Sequence, residues 1–138
     1  MDAIGLLEEK LDDILNDATE KMARSHLKHY EMKGSGQTRD RLRTLCGALL
    51  ESLQRDSRTP MIRYAEKIGD ERFSAGFALG EVQTAFNVLE ESIWEQILKG
   101  MKPAEYADAV ESINGVLRTG KDAVARIYFS LVTNPPWG

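Results

Sequence analysis

Apolar residues return every three or four positions along most of the chain, the spacing of helices that bury one face. Ile4, Leu7, Leu11, Ile14, Ala18 and Met22 form the first stripe, continued by Ser25 and His29. This predicts one helix from about Asp2 to about Met32, acidic in its first half and basic in its second, as the helix macrodipole favours. Gly34-Ser35-Gly36 is expected to end it. A second helix begins near Thr38 or Arg39 on the stripe Leu42, Leu45, Leu49 and Leu53, and stops in Arg55-Asp56-Ser57-Arg58. Thr59-Pro60 reads as an N-cap followed by proline at the first helical position. The third helix carries Met61, Tyr64, Ala65, Ile68 and Phe73, with Gly76 as its exit. The fourth carries Val82, Phe86, Leu89, Ile93 and Ile97 and ends at Gly100. Pro103 opens the fifth, whose stripe runs through Tyr106, Val110, Ile113, Leu117, Gly120, Val124, Ile127 and Leu131 to a stop at Asn134-Pro135-Pro136.

No strand alternation, repeat or long linker interrupts this pattern. The expected fold is all-α: an antiparallel bundle of about five helices, with long first and last members. At ~1.5 Å per residue those two would each span about 40–45 Å. The joints are short, which favours antiparallel neighbours. The chain has 138 residues, so residues 1–138 read as a single helical domain of sensory or regulatory type. A domain of this length buries enough surface to fold without staples.

Composition changes the picture by exclusion. Hydrophobic residues make up 42% and charged residues 29%, the balance of a globular protein. The formal net charge is −4, which argues against nucleic acid as a partner. A single cysteine, Cys46, allows no internal disulfide and gives no sign of an oxidising compartment. The acidic, amphipathic start is unlike a secretory signal. No run approaches the ~20 apolar residues of a membrane span. The expected location is therefore the cytoplasm.

Candidate chemistry is sparse. His26 and His29 are spaced i to i+3, which suits a metal pair if acids complete it. The plainer reading packs His29 in the bundle and leaves His26 at its edge. No metal site and no cofactor is assigned. Cys46 on an apolar face reads as a small buried hydrophobe, with redox sensing through nearby Arg43 as the alternative. No phosphate loop or nucleophile elbow is present, and no nucleophile, base and orienting group can be assembled. The chain is therefore not read as an enzyme. Arg39, Arg41, Arg43, Arg55, Arg58 and Arg63 make a locally basic run, read as a solvated face balanced by Asp40, Glu51 and Asp56. Glu20 with Arg24 and Glu95 with Lys99 have the spacing of i to i+4 surface pairs.

Two features stand apart. Arg72 lies on the row Ala65, Gly69, Arg72, Gly76, whose small residues permit close helix approach. An arginine there is partly buried and needs an acid, and Glu81, Glu90 and Glu91 are candidates. Gln83, Asn87 and Glu91 form a polar row on the fourth helix. Arg72, Glu81, Gln83, Asn87 and Glu91 thus make a candidate ligand or switch site, unless these groups only satisfy one another. The second feature is Ile127-Tyr128-Phe129: three bulky residues in succession cannot all face one core. With Trp94, which leaves the main stripe of its helix, Tyr128 and Phe129 are candidate interface residues, and a homodimer is expected.

The block from Arg41 to Trp94 carries Arg41-Leu42-Arg43 and Leu49-Leu50-Glu51-Ser52-Leu53. Tyr64-Ala65-Glu66-Lys67-Ile68-Gly69-Asp70-Glu71-Arg72 and Gly76-Phe77-Ala78-Leu79-Gly80-Glu81-Val82 follow, and then Ala85-Phe86-Asn87-Val88-Leu89-Glu90-Glu91-Ser92-Ile93-Trp94. This block resembles the N-terminal helical domain of RsbRD-type proteins, the RsbT co-antagonists of the bacterial stressosome, a module also found ahead of some sensor histidine kinases. The ends of the chain match by helix pattern alone. The resemblance implies a non-catalytic, signal-sensing input module of bacterial signal transduction and stress response, one that acts on a protein partner or an attached output domain. Residues 1–138 themselves contain no phosphoacceptor, kinase or DNA-binding unit. The chain is thus expected to be a stand-alone relative or part of a longer protein, and Asn134-Pro-Pro-Trp-Gly reads as the start of a linker. The alternative is a helical carrier binding a metal or haem through His29.

Overall fold

The computed structural model describes residues 1–134. The described residues form six helices and no strand: α1 Ala3–Glu9, α2 Leu11–Arg24, α3 Lys28–Arg55, α4 Thr59–Ser74, α5 Leu79–Gly100 and α6 Pro103–Thr133. The all-α reading holds, but the count and the first element need correction. The expected helix from Asp2 to Met32 is three pieces. Lys10 leaves helical geometry with φ −103° and ψ 15°, which separates α1 from α2. His26, at φ 50°, and Leu27, at ψ 120°, then turn the chain into α3.

Gly34-Ser35-Gly36 does not end a helix either. Gly34 takes φ 83° and kinks α3, and the helix resumes beyond it. Only glycine enters that region without a Cβ penalty, so the chain bends and keeps going. The Thr38 hydroxyl donates to the Gly34 carbonyl at 3.1 Å, an i to i−4 contact at the first turn beyond the kink. Residues 28–33 are therefore a short limb of α3, bent away from the long segment that follows.

Other boundaries fall where the residues place them. Asp56, at φ 48°, ends α3 and Gly76, at φ 89°, follows α4. The start of α4 is capped from an unexpected source. Ser52 of α3 accepts from the Met61 N–H at 3.0 Å, and both groups are buried. A hydroxyl inside the bundle thus meets a free helix-terminal donor. The stop expected at Asn134-Pro135-Pro136, and the linker reading of the same segment, extend outside the described residues.

The stripes converge on one core. Val82, Phe86, Leu89, Ile93 and Ile97 of α5 are all buried, as are Leu42, Leu45 and Leu49 of α3. The α6 stripe drifts: Ile113, Leu117, Gly120 and Val124 are buried, but beyond them Tyr128 is buried and Ile127 only half-buried. A pattern near 3.5 residues per turn on a 3.6-residue helix rotates by about 20° every seven positions. Gly120 lets α6 close on its neighbours, since a Cβ there would come within 2.7 Å of both Met61 Sδ and Phe86 Cε2. Helices α5 and α6 run antiparallel: Tyr106 donates to the Leu98 carbonyl, Lys121 to Asn87 Oδ1 and Tyr128 to the Phe77 carbonyl.

Candidate functional site

Arg72 occupies the last turn of α4 on the row of small residues, and it is 9% exposed. The expected acid does not come from α5. The ion pair it makes is with its neighbour Glu71, Nη1 to Oε2 at 3.6 Å, and Glu71 itself faces solvent. At that length the contact is electrostatic rather than a hydrogen bond. The Arg72 Nε is buried and has no hydrogen-bond partner among the described residues.

A second arginine lies beside it. Arg41 stands on α3 one turn beyond Thr38 and next to Leu42, both buried. Arg41 itself is half-buried, turned partly inward rather than wholly on the solvated face expected of the basic run. Its Nη1 is likewise buried without a partner among the described residues. The Arg41 Cζ lies 5.0 Å from the centre of the Phe77 ring and 5.7 Å from that of Tyr30. The Arg72 Cζ lies 5.7 Å from the same Phe77 centre. Cation–π attraction supplies part of the missing stabilisation, on the order of 1–2 kcal/mol when desolvated. It does not replace a counter-ion.

Tyr30, Arg41, Tyr64 and Arg72 line a cavity of about 10 Å³ closed below by Leu42, Leu45, Ile68, Val82, Ala85 and Phe86. Burial raises the Tyr30 hydroxyl, against the pull of Arg72 and Arg41, and it raises that of Tyr64. The Arg41 guanidinium is pushed below its usual range by burial and then by the nearby Arg72 charge, although an arginine stays protonated under any ordinary condition. Tyr30 also lines a separate cleft of about 230 Å³ with Thr19, Met22, Ala23, Gly34, Ser35 and others.

Glu81 is engaged elsewhere. It accepts from the His29 N–H at 3.0 Å and from the Ala78 N–H at 3.0 Å, and His29 Nδ1 lies 2.7 Å from it. Facing a carboxylate, Nδ1 carries the proton. Burial would raise the Glu81 carboxyl, but donation from the Ala78 and His29 backbone and from the imidazole outweighs it and holds the group below the ordinary carboxylate range. The same residue thus caps α5 and ties it to the short limb of α3. The His29 ring also packs on Phe77 at 4.9 Å.

Other candidates disperse. Gln83 is half-buried, whereas Asn87 and Glu91 face solvent, and Asn87 serves the α5–α6 contact through Lys121 at 3.0 Å. Tyr128, expected at an interface, is buried, with its hydroxyl donating to the Phe77 carbonyl at 2.8 Å. Phe129 is 71% exposed and Val132, one turn on, 66%. Trp94 is half-buried and lies toward the opposite end of the α5–α6 pair from Phe129. His26 bonds to Glu31 at 2.7 Å and His29 to Glu81, so the two histidines serve different partners. Among the described residues no group of three or more His, Cys, Asp and Glu is arranged to hold a metal ion.

Two features were missed in the sequence. Glu95 pairs with Lys21 at 2.8 Å, and Lys21 also reaches Asp17 at 2.7 Å, so α2 is fastened to α5 by a charge group that local spacing assigned to Lys99. A cleft of about 650 Å³ opens where the N-terminus meets the end of α3 and the start of α6, with Asp2, Asp56, Arg58, Glu105 and Asp108 on its walls. Sequence pattern alone puts Arg41 in the basic run and Tyr64 on a core stripe, and gives no sign that they meet Tyr30 and Phe77 around Arg72. Cys46 is buried and its thiol is pushed up to about 12 by desolvation, which makes it inert. No helix among the described residues is long and apolar enough to cross a membrane.

The model of the family described as the RsbT co-antagonist protein rsbRD N-terminal domain matches residues 11–130. No curated protein and no solved structure matches the chain.

Proposed function

As a chain that belongs to the RsbT co-antagonist protein rsbRD N-terminal domain family, a signalling and regulatory family, the protein is one for which we propose the role of a non-catalytic input module. It receives a signal in the helical bundle and passes it on by contact with a protein partner or output domain in the cytoplasm. The observation that carries this reading is the family match across residues 11–130, which spans every helix that contributes to the Arg72 cluster. That cluster joins α3, α4 and the start of α5, so a change of charge within it bears on the packing of three elements at once. In this reading Arg72 is the switching member of the polar set, and Glu81 is the anchor that holds the short limb of α3 against α5. Gln83, Asn87 and Glu91 tune the solvent side of α5.

The contact surface is assigned to Phe129 and Val132, two exposed apolar residues one turn apart at the end of α6. In this reading the pair mediates a homodimer, and Trp94 supplies a second, separate contact near the end of α5. Sedimentation velocity on the wild type and on Phe129→Glu tests it. The wild type is expected to be dimeric and the variant monomeric, with stability within about 0.5 kcal/mol because the position is exposed. A wild type that is monomeric at all concentrations removes the homodimer. Capture of the same partner by both forms removes the pair as the contact surface.

A further inference from the structure

Two guanidinium groups lie against one phenylalanine ring without an acid between them. Arg41 forms no ion pair among the described residues, and Arg72 has a single long contact to a solvent-facing Glu71. Each keeps a buried nitrogen that donates to nothing among the described residues. Glu81, the other carboxylate of the region, is taken up by three N–H groups. Like charges this close repel, and both have lost hydration. Structural arginines in a bundle interior are normally matched by a carboxylate, so this pair lacks a partner of opposite charge.

We propose that Arg41 and Arg72 are the head-group end of a binding site for a small oxyanion, a carboxylate or phosphoryl group, which enters when Tyr30 moves aside. Planar guanidiniums with free N–H donors hold such groups bidentately. The closed cavity of about 10 Å³ has room for about one water, so the anion needs Tyr30 to swing. Tyr30 is also a wall of the 230 Å³ cleft beside Gly34 and Thr38. Its movement therefore joins the two spaces and leaves a chamber for the rest of an organic acid, with one carboxylate on its wall, the exposed Glu31 that pairs with His26. Tyr30 sits on the short limb of α3, before the kink at Gly34, next to His29, whose bonds to Glu81 hold that limb in place, so the opening is a rotation of the Tyr30 side chain rather than a shift of the limb. Two sources share this chemistry: free inorganic phosphate, and the carboxylate of a short apolar acid. The anion site stands on its own geometry, and only its use as a signal rests on the input-module reading.

The test is an amide NMR titration of the full chain with sodium phosphate and with sodium hexanoate, at fixed ionic strength. Hexanol serves as the uncharged control. Saturable shifts at the Tyr30, Arg41 and Arg72 amides are expected, and binding at least tenfold weaker in both Arg41→Met and Arg72→Met. Response to phosphate alone identifies a free oxyanion, and a stronger response to hexanoate identifies an organic acid using the cleft. Shifts that never saturate, or equal binding by the two variants and the wild type, overturn the site. Because the methionine variants relieve repulsion, both are expected to fold, and Arg72→Lys provides a variant that keeps the charge while losing the fork. Sedimentation with and without the bound probe separates the two readings. Binding with unchanged association leaves the site and removes its regulatory use. Absence of binding beside an intact Phe129-dependent dimer removes the site and leaves the module.

Discussion

Glu81, through His29, and the arginine pair both lie against Phe77, and they handle charge in opposite ways. The single carboxylate is surrounded by donors: two backbone N–H groups and an imidazole. The two cations are surrounded by rings and aliphatic side chains, and each has a nitrogen left over. Turning Glu81 to the arginines would satisfy them only by stranding the three donors it now serves. The chain instead commits its acid to capping α5 and holding the short limb of α3. A buried charge that is fully hydrogen-bonded fixes the elements around it, whereas one left short of partners stores a preference for something else. The first region is therefore read as anchorage and the second as receptivity.

The contrast is broken most strongly by Glu81→Ala. Removing one side chain unpairs the His29 and Ala78 N–H groups and the imidazole together. A loss of about 3 kcal/mol is expected, in line with hydrogen bonds to a charged group, and urea denaturation followed by circular dichroism would measure it. A loss below about 1 kcal/mol would mean water replaces the carboxylate without penalty. A smaller effect comes from acid. The Glu81 carboxyl is held below its ordinary value of 4.5 in the folded state. Its stabilisation is thus fully present above that value and is lost as pH falls through the folded value. Wild type and Glu81→Gln are expected to converge in stability between pH 5 and pH 3, roughly the window around and below the ordinary carboxylate value. Curves that stay parallel across it would assign the acid response to other groups. The smallest change is expected from Arg72→Met, which removes a cation without an adequate partner. Stability should stay level or rise by about 1 kcal/mol, as when uncompensated buried charge gives way to an apolar side chain of similar length. A fall of more than about 2 kcal/mol would show that the contacts to Phe77 and Glu71 outweigh desolvation.

How far the sequence announced all this depends on the range of the interaction. The stripes of α3 and α5 were legible residue by residue because helical periodicity is local. The stop at Asp56 and the opening of α6 at Pro103 were legible for the same reason. The break at His26 was not, since a histidine at φ 50° carries no composition signal of a turn. Gly34 is legible as a special position but not in its consequence: glycine permits both an end and a kink, and only the contacts beyond it decide. Arg72 stood out through the small residues on its row. Arg41 was hidden among alternate arginines, although one turn from Thr38 and adjacent to Leu42 it turns partly inward. The choice of Glu81 by His29, and of Glu95 by Lys21, joins positions more than fifty residues apart. Nothing local encodes it.

The burial of Cys46 has a practical side. Its thiol is enclosed by the core and pushed up to about 12, so the folded chain offers nothing for a maleimide reagent to attack. A cysteine placed at an exposed position such as Ser35, beside the kink, or Phe129, at the end of α6, would therefore be tagged alone, with no need to delete the native one. The protein is its own clean background for spin or fluorescent labels, and the distance from the bent limb to the end of α6 can be followed directly as phosphate or hexanoate is added.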